Sequence, residues 1–71
     1  MKFGDIVRVS WDDHSFTFGD GRPALAKVKT CGYFVEETDE YVAVALSIVD
    51  GKANDTQLID KRMLRKVKKV K

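Results

Sequence analysis

The chain has 71 residues, of which 44% are hydrophobic and 34% charged, with a formal net charge of +2. A chain this short forms one domain, residues 1–71, and buries only roughly 60% of the surface its unfolded form exposes, which leaves no room for a deep catalytic cleft beside a core; its apolar residues run in patterned stretches, which excludes intrinsic disorder. The small net charge hides a split: Lys61 to Lys71 carries seven basic residues and no acidic one, whereas the first sixty positions hold all eleven acidic residues and six basic ones.

Asp5 to Trp11 alternates, with Val7, Val9 and Trp11 on one face and Arg8 and Ser10 on the other, the period of a half-buried strand. Asp12 to Pro23 is a long connection rich in Asp, Ser and Gly that also holds Phe16 and Phe18. Ala26 to Glu37 reads as a long second strand in which Gly32 permits a bulge or sharp bend. Glu36 to Glu40 is an acidic hairpin turn. Tyr41 to Val49 is the third strand and the clearest core segment, with Val42, Val44, Leu46 and Ile48 sharing the inner face. Asp50-Gly51 starts a turn that Lys52 to Asp55 completes, and Gln57 to Ile59 forms a short fourth strand. Asp60 caps one helical or 3₁₀ turn through Met63. Leu64 to Val70 closes the fold as a fifth strand; Met63, Val67 and Val70 are also spaced for a helix, and the period of so short a run does not separate the two. A strand is expected here because it would cover the open edge of the preceding meander.

Cys31 is the only cysteine, so no intrachain disulfide supports the fold, and a reducing, cytoplasmic setting is expected. The segment MKFGDIVRV lacks the apolar stretch of a signal peptide. The longest apolar-rich run, Tyr41 to Val49, is far below the roughly 20 residues of a membrane-spanning helix.

The order strand, long loop, hairpin, hairpin, helical turn, strand resembles an SH3-like barrel, and the expected fold is therefore all-β: a five-stranded SH3-like small barrel with one short 3₁₀ turn before the last strand. A closer resemblance rests on Val7-Arg8-Val9-Ser10-Trp11-Asp12, Gly32 to Val42, Ala45-Leu46-Ser47-Ile48 and Leu58 to Val67. These are similar to a family of small phage and prophage proteins carrying a "VGYLVEEDDDYIVLA-SI" stretch, with Asp60 standing where proline is common. The resemblance implies a viral or mobile-element origin and transfers no catalytic or binding residue. The chain lacks the acidic-aromatic signature and tryptophan pair of peptide-binding SH3 domains, so polyproline recognition is not implied. It also lacks the glycine that follows the strand in ribosomal KOW motifs, so RNA binding is not implied from there.

Two candidate sites follow. Trp11, Phe16, Phe18 and Tyr33 form an aromatic surface for another protein if exposed, since Trp and Tyr dominate interface energetics; otherwise they cap the core. Lys61, Arg62, Arg65, Lys66, Lys68 and Lys69 form a phosphate-binding stripe, with Lys66 and Lys68 on one strand face and Arg65 and Lys69 on the other, or else a solubilising edge. Single-strand binders add aromatics on which bases stack; none follows Tyr41 in the sequence. Asp12, Asp13 and His14 have metal-ligand chemistry but point in alternating directions on an extended chain, and a solvated turn is the favoured reading. Cys31 and the single histidine do not make a nucleophile–base–orienter unit. The expectation is a non-enzymatic accessory protein without cofactor that binds another protein of phage or host, with nucleic-acid binding through the basic segment as the alternative and no membrane association.

Overall fold

The computed structural model describes residues 1–13, 17 and 19–70. It is all-β: strands β1 (Ile6–Asp13), β2 (Ala26–Glu37), β3 (Tyr41–Val49), β4 (Lys52–Asp60) and β5 (Leu64–Lys69) form one antiparallel sheet in the order β4-β3-β2-β1-β5. No helix among the described residues is long and apolar enough to cross a membrane.

The sheet is open, which corrects the expected closed barrel. β5 pairs with β1, not with β4, so β4 and β5 are the two edges. The reason lies in β4, whose stretch Asn54 to Gln57 is polar and exposed; it offers no apolar seam for a closing strand.

β2 serves two partners. Its first part, Ala26 to Tyr33, pairs with β1, and its end, Tyr33 to Glu37, pairs with β3. The strand bends where the roles change. A register shift between Phe34 and Glu36 leaves Val35 as the extra residue, so the bulge expected at Gly32 sits three residues later. Gly32 has a different task. A Cβ placed there would lie 2.5 Å from the Ala45 carbonyl oxygen and 2.7 Å from Val44 Cγ1. Only glycine lets β3 fold this closely over β2.

The bend gathers one core: Val7, Val9, Trp11, Phe34, Val42, Val44 and Ile59, with Val28, Met63, Leu64 and Val67 packed against it. The inner face of β3 is shorter than its alternation suggests. Val42 and Val44 are buried, but Leu46 is 68% exposed, because β2 stops pairing with β3 at Ala45; Ile48, the next residue of that face, is half-buried. Ala43 and Ala45, on the opposite face, are buried instead. The remaining β3–β4 hairpin projects, which gives extents of 40 × 22 × 22 Å and a radius of gyration of 13.1 Å, against about 11 Å for a compact chain of this length.

β4 is longer than the expected Gln57–Ile59 because its turn is shorter. Asp50 and Gly51 both adopt positive φ (50° and 77°) between the paired residues Val49 and Lys52. Such a two-residue Asp-Gly loop matches the twist of the flanking strands, and the ladder resumes at once. The other turns follow their side chains. Thr38 Oγ1 accepts from the backbone N–H groups of Glu40 and Tyr41, and the Tyr41 hydroxyl donates to the Glu36 carboxylate. Before β5, Met63 N donates to Asp60 O and Leu64 N to Lys61 O. These i→i+3 bonds form a tight turn, which Asp60 caps by accepting from Arg62 N at 2.8 Å.

Candidate functional site

Period-two alternation puts the even-numbered residues of β1 on its outer face, opposite Val7 and Val9. Antiparallel register then decides which residues flank them. Arg8 lies between Cys31 of β2 and Lys68 of β5; Ser10 lies between Lys29 of β2 and Lys66 of β5. Residues directly opposite share a face with Cβ atoms roughly 4.5–5.5 Å apart. Arg8, Lys29, Lys66 and Lys68 thus ring a shallow depression of about 230 Å³ whose floor is Ser10. All four are exposed, and no carboxylate among the described residues pairs with any of them. Lys27, opposite Asp12, extends the basic face along β2.

The acidic residues of the neighbourhood are engaged elsewhere. The Arg65 Nε donates to Asp12 Oδ2 at 2.6 Å, and the Asp12 carboxylate is only 12% exposed. Lys69 Nζ is 3.7 Å from Asp5 Oδ2. Hydrogen bonding from the Lys2 backbone, with the Lys69 charge further down, holds the Asp5 carboxyl below its usual range. In the turn before β5, Lys61 pairs with Glu37 at 2.7 Å and Arg62 with Asp60 at 2.7 Å. Side-chain and backbone bonds from Arg62 lower the Asp60 pKa to about 2, and the same bond raises that of Arg62. The acidic hairpin turn and the basic turn before β5 therefore meet within one molecule.

Of the six basic residues of the expected stripe, only Lys66 and Lys68 belong to the unpaired cluster. Lys61, Arg62, Arg65 and Lys69 are ion-paired. Lys66 and Lys68 share a face drawn from three strands, and its other members, Arg8, Lys27 and Lys29, lie far from the terminus in sequence. Alternation alone marks the face they share: Lys27 and Lys29 flank Val28 as Arg8 separates Val7 from Val9.

The aromatic surface is placed differently from a platform. Trp11 is 9% exposed and belongs to the core; its indole N–H donates to Thr30 Oγ1 at 3.0 Å. Tyr33 is half-buried at the far end of the outer face, opposite Ile6. Phe16 and Phe18 lie outside the described residues, as does His14 of the Asp12-Asp13-His14 run. No group of three or more His, Cys, Asp or Glu residues that could hold a metal ion occurs among the described residues.

A second depression, of about 210 Å³, adjoins the first. Trp11 and Val28 contribute its apolar lining, and Ser10, Asp12, Lys27, Lys29 and Arg65 surround them. Ser10 and Lys29 line both depressions.

No protein-family model, no curated protein and no solved structure matches the chain. The chemistry of the site is therefore read from its geometry.

Proposed function

We propose that the chain is a non-enzymatic nucleic-acid-binding module that contacts phosphates through the outer face of β1, β2 and β5. The observation that carries this reading is the ring of Arg8, Lys29, Lys66 and Lys68 around Ser10, with no acidic partner among the described residues. Like charges directly opposite on adjacent strands, as Arg8 and Lys68 are here, destabilise a sheet. A polyanion supplies the missing counter-charge. Three strands at about 4.8 Å spacing spread the cations across about 10 Å, a width suited to a phosphate backbone rather than a single small anion. The protein-binding alternative has less support, since Trp11 is interior and the phage-type resemblance assigns no partner.

The strand order, the long connection after β1 and the tight turn before β5 support an SH3-like reading of the fold, opened between β4 and β5. In that reading the basic face is the outside of the half made by β5, β1 and the first part of β2.

Fluorescence anisotropy with labelled DNA and RNA oligonucleotides across a salt series tests the proposal. The expected result is binding at low salt that weakens linearly in log–log form, by about 0.7–0.9 slope units per phosphate contact. Absence of any binding at low salt overturns it.

A further inference from the structure

We infer that the depression lined by Trp11 and Val28 seats one unpaired nucleobase, so that the module prefers single-stranded nucleic acid. The inference rests on the nucleic-acid reading of the adjoining face and deepens it. The two depressions share Ser10 and Lys29: a backbone lying across Arg8, Lys66 and Lys68 brings the base of a neighbouring nucleotide to the second one. That depression differs from the first in having the apolar residues Trp11 and Val28 in its lining. At about 210 Å³ it is below the roughly 300–1,000 Å³ of pockets for drug-sized ligands, and one flat ring system is the occupant that suits it.

Its walls are suited to a ring. Arg65 is the extra residue where the β1–β5 register shifts between Ser10 and Trp11, so its side chain leaves the regular alternation and lines this depression. Asp12 holds its Nε at 2.6 Å, which fixes the plane of the guanidinium and leaves its terminal N–H groups available. A fixed guanidinium plane stacks on a nucleobase, and its N–H donors reach base-edge acceptors or an adjacent phosphate. Trp11, whose indole N–H donates to Thr30 Oγ1, lines the depression beside Val28, while Lys27 and Lys29 flank it with charges for neighbouring phosphates. A duplex keeps its bases stacked inside and cannot fill this depression without unpairing one.

The test compares oligothymidylate, an abasic oligodeoxynucleotide of the same length and a duplex, on the whole chain. Trp11 is the only tryptophan, so its emission reports the depression directly. The expected result is that oligothymidylate binds about tenfold more tightly than the abasic strand, consistent with the ~1–3 kcal/mol of one stacked base, and quenches Trp11, while the abasic strand binds without quenching. Arg65→Lys, which keeps the charge and the ion pair but removes the plane, is expected to abolish most of that tenfold difference while leaving abasic-strand binding unchanged. Equal, salt-dependent binding of all three probes with no quenching overturns the base site and leaves the phosphate face standing. Failure of every probe to bind at low salt overturns both.

Discussion

Arg8 and Lys68 are directly opposite each other in the β1–β5 ladder, and no carboxylate among the described residues pairs with either. The repulsion is a cost to the free protein, because cross-strand like charges destabilise by a few tenths of a kcal/mol up to about 1 kcal/mol. Arg8→Thr should therefore raise the urea midpoint at low salt and weaken nucleic-acid binding in the same variant. A variant that loses binding without gaining stability would place the cost elsewhere.

The terminal segment separates into paired and unpaired cations, which gives opposite expectations within one stretch of sequence. Lys66→Ala and Lys68→Ala should each lower the salt slope by roughly one phosphate contact. Arg62→Ala, which removes a cation already paired with Asp60, should leave the slope unchanged. Equal effects from all three would restore the linear basic tail as the binding element.

Gly32→Ala places a methyl group 2.5 Å from a backbone carbonyl oxygen, and backbone cannot rotate away as a side chain can. Overpacking of this kind costs about 1–3 kcal/mol, against a net stability of about 3–5 kcal/mol for a core of this size. Chemical denaturation should show a midpoint lowered by about a fifth or more, or no folded baseline.

Ile59 and Leu46 lie on adjacent strands with contrasting burial, 1% and 68% exposed. Ile59→Ala should cost about 2–5 kcal/mol and leave the chain largely unfolded. Leu46→Ala should change stability by no more than about 0.5 kcal/mol. Circular dichroism during thermal melting distinguishes the two.

Acid stability should depend on Asp60. Its carboxyl titrates near pH 2 in the folded chain against a reference of 3.8, chiefly because Arg62 donates to its charged form. The pKa is depressed on folding, so the contribution is complete above pH 3.8 and is lost as the pH falls through that value toward 2. Asp60→Asn should lower stability at neutral pH and flatten this part of the acid limb. Parallel curves for the two proteins between pH 5 and 2 would refute the assignment.

Much of the fold was legible as period. Val7, Val9 and Trp11 alternate into the core as their spacing requires, and Val42, Val44 and Ile59 join them. Legibility failed where a register shift resets the phase. Leu64 and Val67 are three residues apart, a helical spacing, yet both pack against the core because Arg65 is an extra residue in the β1–β5 ladder. A bulge inserts one residue into a period of two, and the resulting spacing of three then looks like about one helical turn. Val35 does the same in β2. The exposure of Leu46 was hidden for another reason: alternation shows which face a residue lies on, but not whether a neighbouring strand extends far enough to cover it.

The sequence alone determined an all-strand chain, its first three strands, the turn capped by Asp60 and the concentration of positive charge at one end, because propensity, period and charge are local properties. Only the tertiary structure decided that the sheet stays open, that Lys61, Arg62, Arg65 and Lys69 are neutralised by carboxylates distant or near in the chain, and that Arg8 and Lys29 join Lys66 and Lys68. Strand register makes neighbours of residues dozens of positions apart, and a charge's availability depends on those neighbours rather than on its own identity.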